Sequence, residues 1–247
     1  MKRINLLILL LAVFPAWLSA QEDADDGMIQ TQTEKKDERS RHGRLYLEDQ
    51  FYVGLTYDYL ISDAANVVQH NFSRGLHGGF LRDIPMNERR NMGIAIGLGY
   101  SYDLVYSNIV ALSEDNIVSY YVPKNLNDLN ISKNYFETHT VELPLEFRWR
   151  TSTAQSHKFW RVYGGVKLGY VFSGLSLFKR NEITYSFNNS DVYKQWHFKT
   201  YLTFGYNTWN FFIQYNMSPF FKDAQTAAEK HSLKSSLLQM GLMFYIL

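Results

Sequence analysis

The sequence predicts an all-β fold, an eight-stranded antiparallel transmembrane β-barrel of the outer membrane. Three observations predict it. The chain opens on an export signal, its later segments alternate apolar and polar residues with period two, and the connections between them alternate short and long. Composition agrees. Aromatic residues make up 16% of 247 residues, with 18 Tyr and 17 Phe, yet mean hydropathy is −0.28. An aromatic-rich but polar chain suits a wall that faces lipid on one side and a polar lumen on the other.

Residues 1–20 read as a signal peptide. Lys2 and Arg3 precede an apolar run over residues 4–14, and Ser19-Ala20 precedes Gln21. Cleavage after Ala20 is expected, and Gln21 in place of Cys excludes a lipoprotein anchor. Residues 21–48 are polar, with Asp23, Asp25 and Asp26 followed by a mixed charge run over residues 34–39. Such a stretch cannot bury enough apolar surface to fold alone, so a disordered periplasmic tail is expected. The barrel domain is assigned to residues 49–247. No later segment has about 18 uninterrupted apolar residues, so no helical span is expected there.

The first strand, about residues 50–60, turns Phe51, Val53, Leu55, Tyr57 and Tyr59 outward. The second, about 73–84, is blurred by Gly75, Gly78, Gly79 and Arg82. The third, 91–104, is the clearest: Met92, Ile94, Ile96, Leu98, Tyr100 and Tyr102 oppose Gly93, Ala95, Gly97, Gly99, Ser101 and Asp103. Only a period of two separates these sets. The fourth, 136–150, sets Val141, Leu143, Leu145, Phe147 and Trp149 against Thr140, Glu142, Glu146, Arg148 and Arg150. Pro144 interrupts it, and a bulge or a locally missing bond is expected there. The fifth, 158–173, sets Trp160, Val162, Leu168, Tyr170 and Phe172 against Arg161, Tyr163, Lys167 and Gly169. The sixth, 193–207, opposes Phe198, Leu202 and Phe204 to His197, Lys199 and Thr203. The seventh, 209–218, opposes Phe211, Ile213 and Tyr215 to Asn210, Gln214 and Asn216. The eighth, about 235–246, turns Leu238, Met240, Leu242, Phe244 and Ile246 outward, with Tyr245 and Leu247 as the alternative outward pair.

The connections at 85–90, 151–157 and 207–208 are short. Those at 62–72, 105–135, 174–192 and 219–233 are long. Outer-membrane barrels have short periplasmic turns and long extracellular loops. Residues 151–157 are therefore expected in the periplasm and 105–135 outside. Trp149, Trp160 and Trp209 all fall near the short turns, as a periplasmic aromatic girdle would. In the long loop, Ile109, Val110, Ile117, Val118, Tyr120, Tyr121 and Val122 are apolar or aromatic. Either this loop extends strands three and four as a hairpin, the favoured expectation, or it docks on a partner.

The concentrated charge is inward: Glu142, Glu146, Arg148, Arg150, Arg161, Lys167 and Lys199, with Asp58 and Asp103 as candidates to join. An eight-stranded barrel is filled by its own side chains, so these charges are expected to pair as a lumenal network. Glu142 and Glu146 would lie about 13 Å apart at strand rise, too far for a glycosidase pair at about 5–9.5 Å. Cysteine is absent and the seven His residues form no metal-spaced cluster, so no metal and no cofactor is expected. Gly97 and Gly99 precede no helix and make no nucleotide fingerprint. A net charge of +1 gives no reason to expect nucleic acid as a partner. His70, His77 and His139 fall toward the loop side. With Ser62, Ser73 or Ser119 they leave an outer-leaflet lipid-modifying enzyme as an alternative. A narrow channel or ligand-binding barrel is a second alternative.

Three stretches are specific beyond pattern: Gly79-Phe80-Leu81-Arg82-Asp83-Ile84-Pro85, Gly97-Leu98-Gly99-Tyr100, and residues 141–148, Val-Glu-Leu-Pro-Leu-Glu-Phe-Arg. With residues 158–170 they resemble the small outer-membrane barrels of the Bacteroidota, in particular the PorT-like group. The resemblance covers most of residues 49–247. It implies a non-enzymatic accessory or structural role, as in type IX protein secretion and gliding, and no catalytic residues. The expected partners are outer-membrane lipid, from the barrel itself, and the secretion-machinery proteins that the resemblance implies; loops carry function on a rigid wall, so such proteins are expected at the long loops or the periplasmic tail. The terminal Phe244-Tyr245-Ile246-Leu247 departs from a barrel ending in Phe.

Overall fold

The computed structural model describes residues 48–64, 66–87, 89, 91–114, 117–124, 126–151, 160–187, 192–206, 209–222 and 233–246. The signal segment, the tail to residue 47 and Leu247 lie outside them, as do parts of the short connections. Contacts divide the chain into Met1–Gly43 and Arg44–Leu247, and every described residue belongs to the second unit.

Eleven strands are described: β1 (Glu48–Ser62), β2 (Arg74–Pro85), β3 (Met92–Tyr106), β4 (Val110–Glu114), β5 (Ile117–Tyr121), β6 (Ile131–Arg150), β7 (Trp160–Arg180), β8 (Ile183–Phe187), β9 (Trp196–Tyr206), β10 (Trp209–Asn216) and β11 (Ser235–Ile246). Eight form the wall. Each pairs antiparallel with its neighbour in the order β6-β3-β2-β1-β11-β10-β9-β7, and β6 pairs with β7 to close the ring. Closure leaves no unpaired edge in the wall, which is what a sheet needs in hydrocarbon. β4 and β5 form a separate two-stranded sheet, and β8 is added to the upper part of β7.

The alternation sorts residues as the sequence requires, and the sorting is the reverse of a water-soluble protein. Leu55 is 60% exposed, Leu98 56% and Leu143 52%, while Asp58, Glu142 and Arg148 are each 0% exposed. Apolar side chains outside and charges inside cost free energy in water and gain it in a bilayer. β2 runs Arg74–Pro85 with Gly75, His77, Leu81 and Asp83 inward. β11 has Met243 buried and Tyr245 against Tyr163, so the even positions face out.

Pro144 gives no bulge. Its pairing to Lys167 on β7 is in register. On the β3 side the ladder passes from Ile96↔Leu145 to Gly99↔Glu142, and the two pairs between are missing without a change of register. The ring lacks a donor N–H, and the loss is confined to one flank.

Two shifts of register lie higher, one between Ile131 and Lys133 and one between His139 and Thr140. His139 pairs with Ser173 and Thr140 with Val171, so Phe172 is an extra residue on β7. Below it Tyr163, Lys167, Gly169 and Val171 face in. Above it Gly174, Ser176 and Phe178 do. β9 pairs with β7 only up to Tyr170, and β8 takes that flank from Ser176 onward. β6 and β7 thus run on past the barrel with β8 as a three-stranded extension. The loop hairpin β4–β5 corrects the favoured expectation: it does not extend β3 and β6 but forms its own sheet against the mouth.

Candidate functional site

The lumen is built from inward positions of all eight wall strands. At the end near the short connections, Arg148 Nε donates to Glu146 Oε1 at 2.6 Å, and Arg148 Nη1 to Gln50 Oε1 at 2.9 Å. Arg148 Nη1 lies 3.5 Å from Asp83 Oδ2, and Arg150 Nη2 reaches the same oxygen at 2.6 Å. The Arg148 guanidinium sits 4.9 Å from the Tyr163 ring centroid and 5.7 Å from that of Tyr245. Tyr201 Oη donates to Glu146 Oε2 at 2.8 Å.

Above this lies an aromatic layer. Lys167 Nζ is 5.0 Å from the Tyr201 ring, 5.2 Å from Phe212 and 5.8 Å from Tyr52. The gap lined by Tyr52, Pro144, Glu146, Lys167 and Tyr201 has a volume of about 10 Å³, room for roughly one water. Higher still, Glu142 takes both lysines, Lys167 on Oε2 at 3.0 Å and Lys199 on Oε1 at 2.7 Å. Gln239 Nε2 then donates to Asp58 Oδ1 at 3.0 Å and Asp103 Oδ1 at 2.8 Å. Gln214 Nε2 donates to Gln239 Oε1 at 2.6 Å, and Thr56 Oγ1 to Asp58 Oδ1 at 2.7 Å.

The structure therefore brings Glu142, Lys167 and Lys199 into one cluster and Glu146, Arg148 and Arg150 into another. Arg161 stands at the lower end opposite Arg150. Asp83, the acceptor shared by both arginines, was missed in the sequence. Counting back from Ile84 with period two would have placed it inward, but the glycines of β2 hid its faces. His77 lies fully buried in the lumen, its Nε2 at 3.2 Å from Thr56 Oγ1. His139 faces out, and its Nδ1 is 2.6 Å from the Tyr100 hydroxyl rather than from a serine. Trp149, Trp160 and Trp209 point out of the wall at the ends of β6, β7 and β10 that meet the short connections.

The mouth is sealed by different chemistry. Leu60, Val105, Ile109, Tyr120, Phe136 and Val171 pack with Val192, Tyr193, Phe220, Phe221, Leu233 and Leu237 in one buried cluster. Asn108 fastens two loops to each other. Its Nδ2 donates to Asn66 O at 2.7 Å and Pro123 O at 2.8 Å, and its Oδ1 accepts from Val68 N at 2.8 Å. Asn134 Nδ2 donates to Ser107 O and Ile109 O. Tyr120 Oη donates to Val192 O at 2.8 Å. Burial pushes the Tyr193 hydroxyl well above its ordinary range, and it donates to Leu175 O at 2.7 Å.

Residues 28–222 match the outer membrane protein beta-barrel domain family. The chain belongs to this family of outer-membrane β-barrels. The barrel is also similar to the crystal structure of Ail, the attachment invasion locus protein of Yersinia pestis. That likeness has 12% identity and a TM-score of 0.35, covering 79% of this chain and 97% of Ail. The structure of Ail with the heparin analogue sucrose octasulfate matches at the same identity and TM-score, with 80% and 99% covered. None of the curated proteins matches the barrel.

Proposed function

We propose that this outer-membrane barrel is a closed, non-conducting wall element that works as a non-enzymatic accessory factor through its loop side. The observation that carries the reading is the double seal. Ion pairs, aromatic rings and amides fill the lumen, and an apolar cluster lies across its mouth. A barrel stopped by two unrelated chemistries is poorly suited to passing solute. Loops held on a rigid wall are suited to presenting a surface. Its resemblance to PorT-like barrels supports service to type IX protein secretion, with secretion-machinery proteins as partners. The same reading makes the lumenal ion pairs a structural plug, and Trp149, Trp160 and Trp209 a girdle at the periplasmic interface.

Two measurements test it together. Purified barrel in planar bilayers is expected to give no step conductance, and steady ion flow through the wild type would overturn the closed reading. Deletion of the gene, followed by proteomics of the secreted fraction, is expected to deplete exported proteins. An unchanged secretome would overturn the secretion role.

A further inference from the structure

The loop-side extension carries an edge that nothing covers among the described residues. β8 pairs with β7 and with no other described strand. Natural edges are blunted by lysine, proline, bulges or inward charges. β8 has none of these. It reads Ile183-Thr184-Tyr185-Ser186-Phe187, uncharged strand formers with apolar residues at alternate positions. Ile183 is 57% exposed.

A groove of about 570 Å³ lies beside this edge, lined mainly by apolar and aromatic side chains such as Val110, Leu112, Tyr121, Phe178 and Tyr185, with Arg180 as its charged member. That volume falls within the range of ligand-binding clefts, about 300–1,000 Å³. Tyr185 pairs with Phe178 across the ladder, and their rings stack at 4.8 Å and 12°. The face of β8 that bears Ile183, Tyr185 and Phe187 is therefore the groove face.

The turn before β8 fixes which backbone groups are free. Asn181 and Glu182 have φ of 46° and 67°, as in a two-residue primed turn. Arg180 and Ile183, which flank that turn, form the hydrogen-bonded pair, and pairs alternate from there. Ile183, Tyr185 and Phe187 therefore turn N–H and C=O toward β7. Thr184 and Ser186 turn theirs away, toward the open edge.

We propose that β8 is a docking edge for an extended segment of a partner protein, which adds as a further antiparallel or parallel strand and sets alternate apolar side chains in the groove. Donors and acceptors repeating every second residue match an extended backbone. A helix or a lipid chain offers no such ladder. An added strand continues the groove face, so one set of its side chains meets the apolar lining while the other set faces water. The proposal rests on the loop side being the working surface and names the class of partner it takes.

The test uses the full-length barrel in detergent micelles and a displayed library of random linear twelve-residue peptides. Selected peptides are synthesised and their affinities measured by fluorescence anisotropy. Apolar residues at alternate positions are expected to be enriched. Thr184→Pro and Ser186→Pro each remove an outward N–H and leave the bonds to β7 in place, and each is expected to weaken binding at least ~10-fold. Tyr185→Ser, which alters the groove and not the ladder, is expected to weaken the same peptides. Gel heat-modifiability shows whether each variant keeps its wall. Bound peptide is expected to slow hydrogen exchange at the amides of Thr184 and Ser186. Enrichment of no alternating peptide, or equal binding by both proline variants, would overturn the proposal. So would a wild-type dimer that Ser186→Pro dissolves, which would assign the edge to a second copy. None of these results bears on conductance, so the closed-barrel reading stands or falls separately.

Discussion

The two seals of the barrel use opposite means. Around Glu142 and Arg148 the lumen is held by buried charges, from 0% exposed at those two to 5% at Arg150. Around Phe136 and Phe221 the mouth is held by aliphatic and aromatic contact, with side-chain amides stitching loop to loop. The difference follows from what each region can rely on. Lumenal side chains project from a closed hydrogen-bonded ring, so a lysine and a glutamate can be held within 3.0 Å at little further entropic cost. The mouth joins the upper ends of wall strands, at Leu60, Val105, Phe136, Val171 and Leu237, to loops that must pay to be ordered at all. Non-directional apolar burial does that ordering without demanding exact geometry. The charged seal should therefore be brittle and coupled to the wall, and the apolar seal tolerant and local.

The largest effect expected concerns sidedness, since the comparison assumes that the apolar seal faces outward. Cysteine at Lys124, exposed beside the hairpin, should label fully on intact cells with an impermeant maleimide. Cysteine at Thr151 should not. The reverse pattern would invert the barrel and the whole assignment of ends.

Next is Glu142→Gln. It leaves Lys167 and Lys199 sharing a neutral acceptor, and loss of one member of a buried pair costs about 3–5 kcal/mol. The gel shift that marks barrel unfolding should move to clearly lower temperature. Adding Lys199→Met should recover part of the loss. A double variant no better than the single would mean that the lumen is wet and screened, and the contrast with the mouth would disappear.

Phe221→Ala should behave differently. Removing a buried phenylalanine costs about 3–5 kcal/mol where the surroundings cannot collapse. The loss here should fall on the loops, which become open to protease while the wall keeps its wild-type gel-shift temperature. A wall that melts together with the loops would show one cooperative unit rather than two seals.

The smallest effect is on His70, half-buried in the first loop, where burial lowers its pKa below the usual 6.5. Its folded value is depressed, so the unfolded chain binds the proton more readily. Loop stability is then complete above about pH 6.5 and declines as pH falls toward the folded value. The imidazole resonances should titrate with a midpoint below 6.5. A midpoint at or above that value would show that the loop cover is not closed over this residue.

Much of the wall was legible because a strand between lipid and lumen has no freedom in its period. Met92 to Tyr102 on β3 and Val141 to Trp149 on β6 declare their outward faces residue by residue. Family membership and the closed eight-stranded ring agree with that reading. Three things were not legible. Asp83 was hidden because Gly78 and Gly79 have no side chain to mark a face. The hairpin β4–β5 was expected as an extension of the wall because strand-forming residues state that a hairpin forms, not where it packs. The burial of Phe220, Phe221 and Val192 with Tyr120 joins three loops far apart in sequence, and no local pattern encodes such a meeting.

The extra residue Phe172 divides β7 in two. A single extra residue shifts the phase of β7, so that the parity meaning "toward lipid" below it means "toward the mouth" above it. Deleting it would leave Thr140 opposite Val171 and His139 opposite Ser173, a regular ladder in which Gly174, Ser176 and Phe178 still face the mouth. What would be lost is the local bend and added twist that a bulge gives its strand. The strand thus reads as two sentences in different frames, joined by one letter. Mutations can accumulate in the upper sentence under the rules of water, while the lower one stays bound by the grammar of the bilayer.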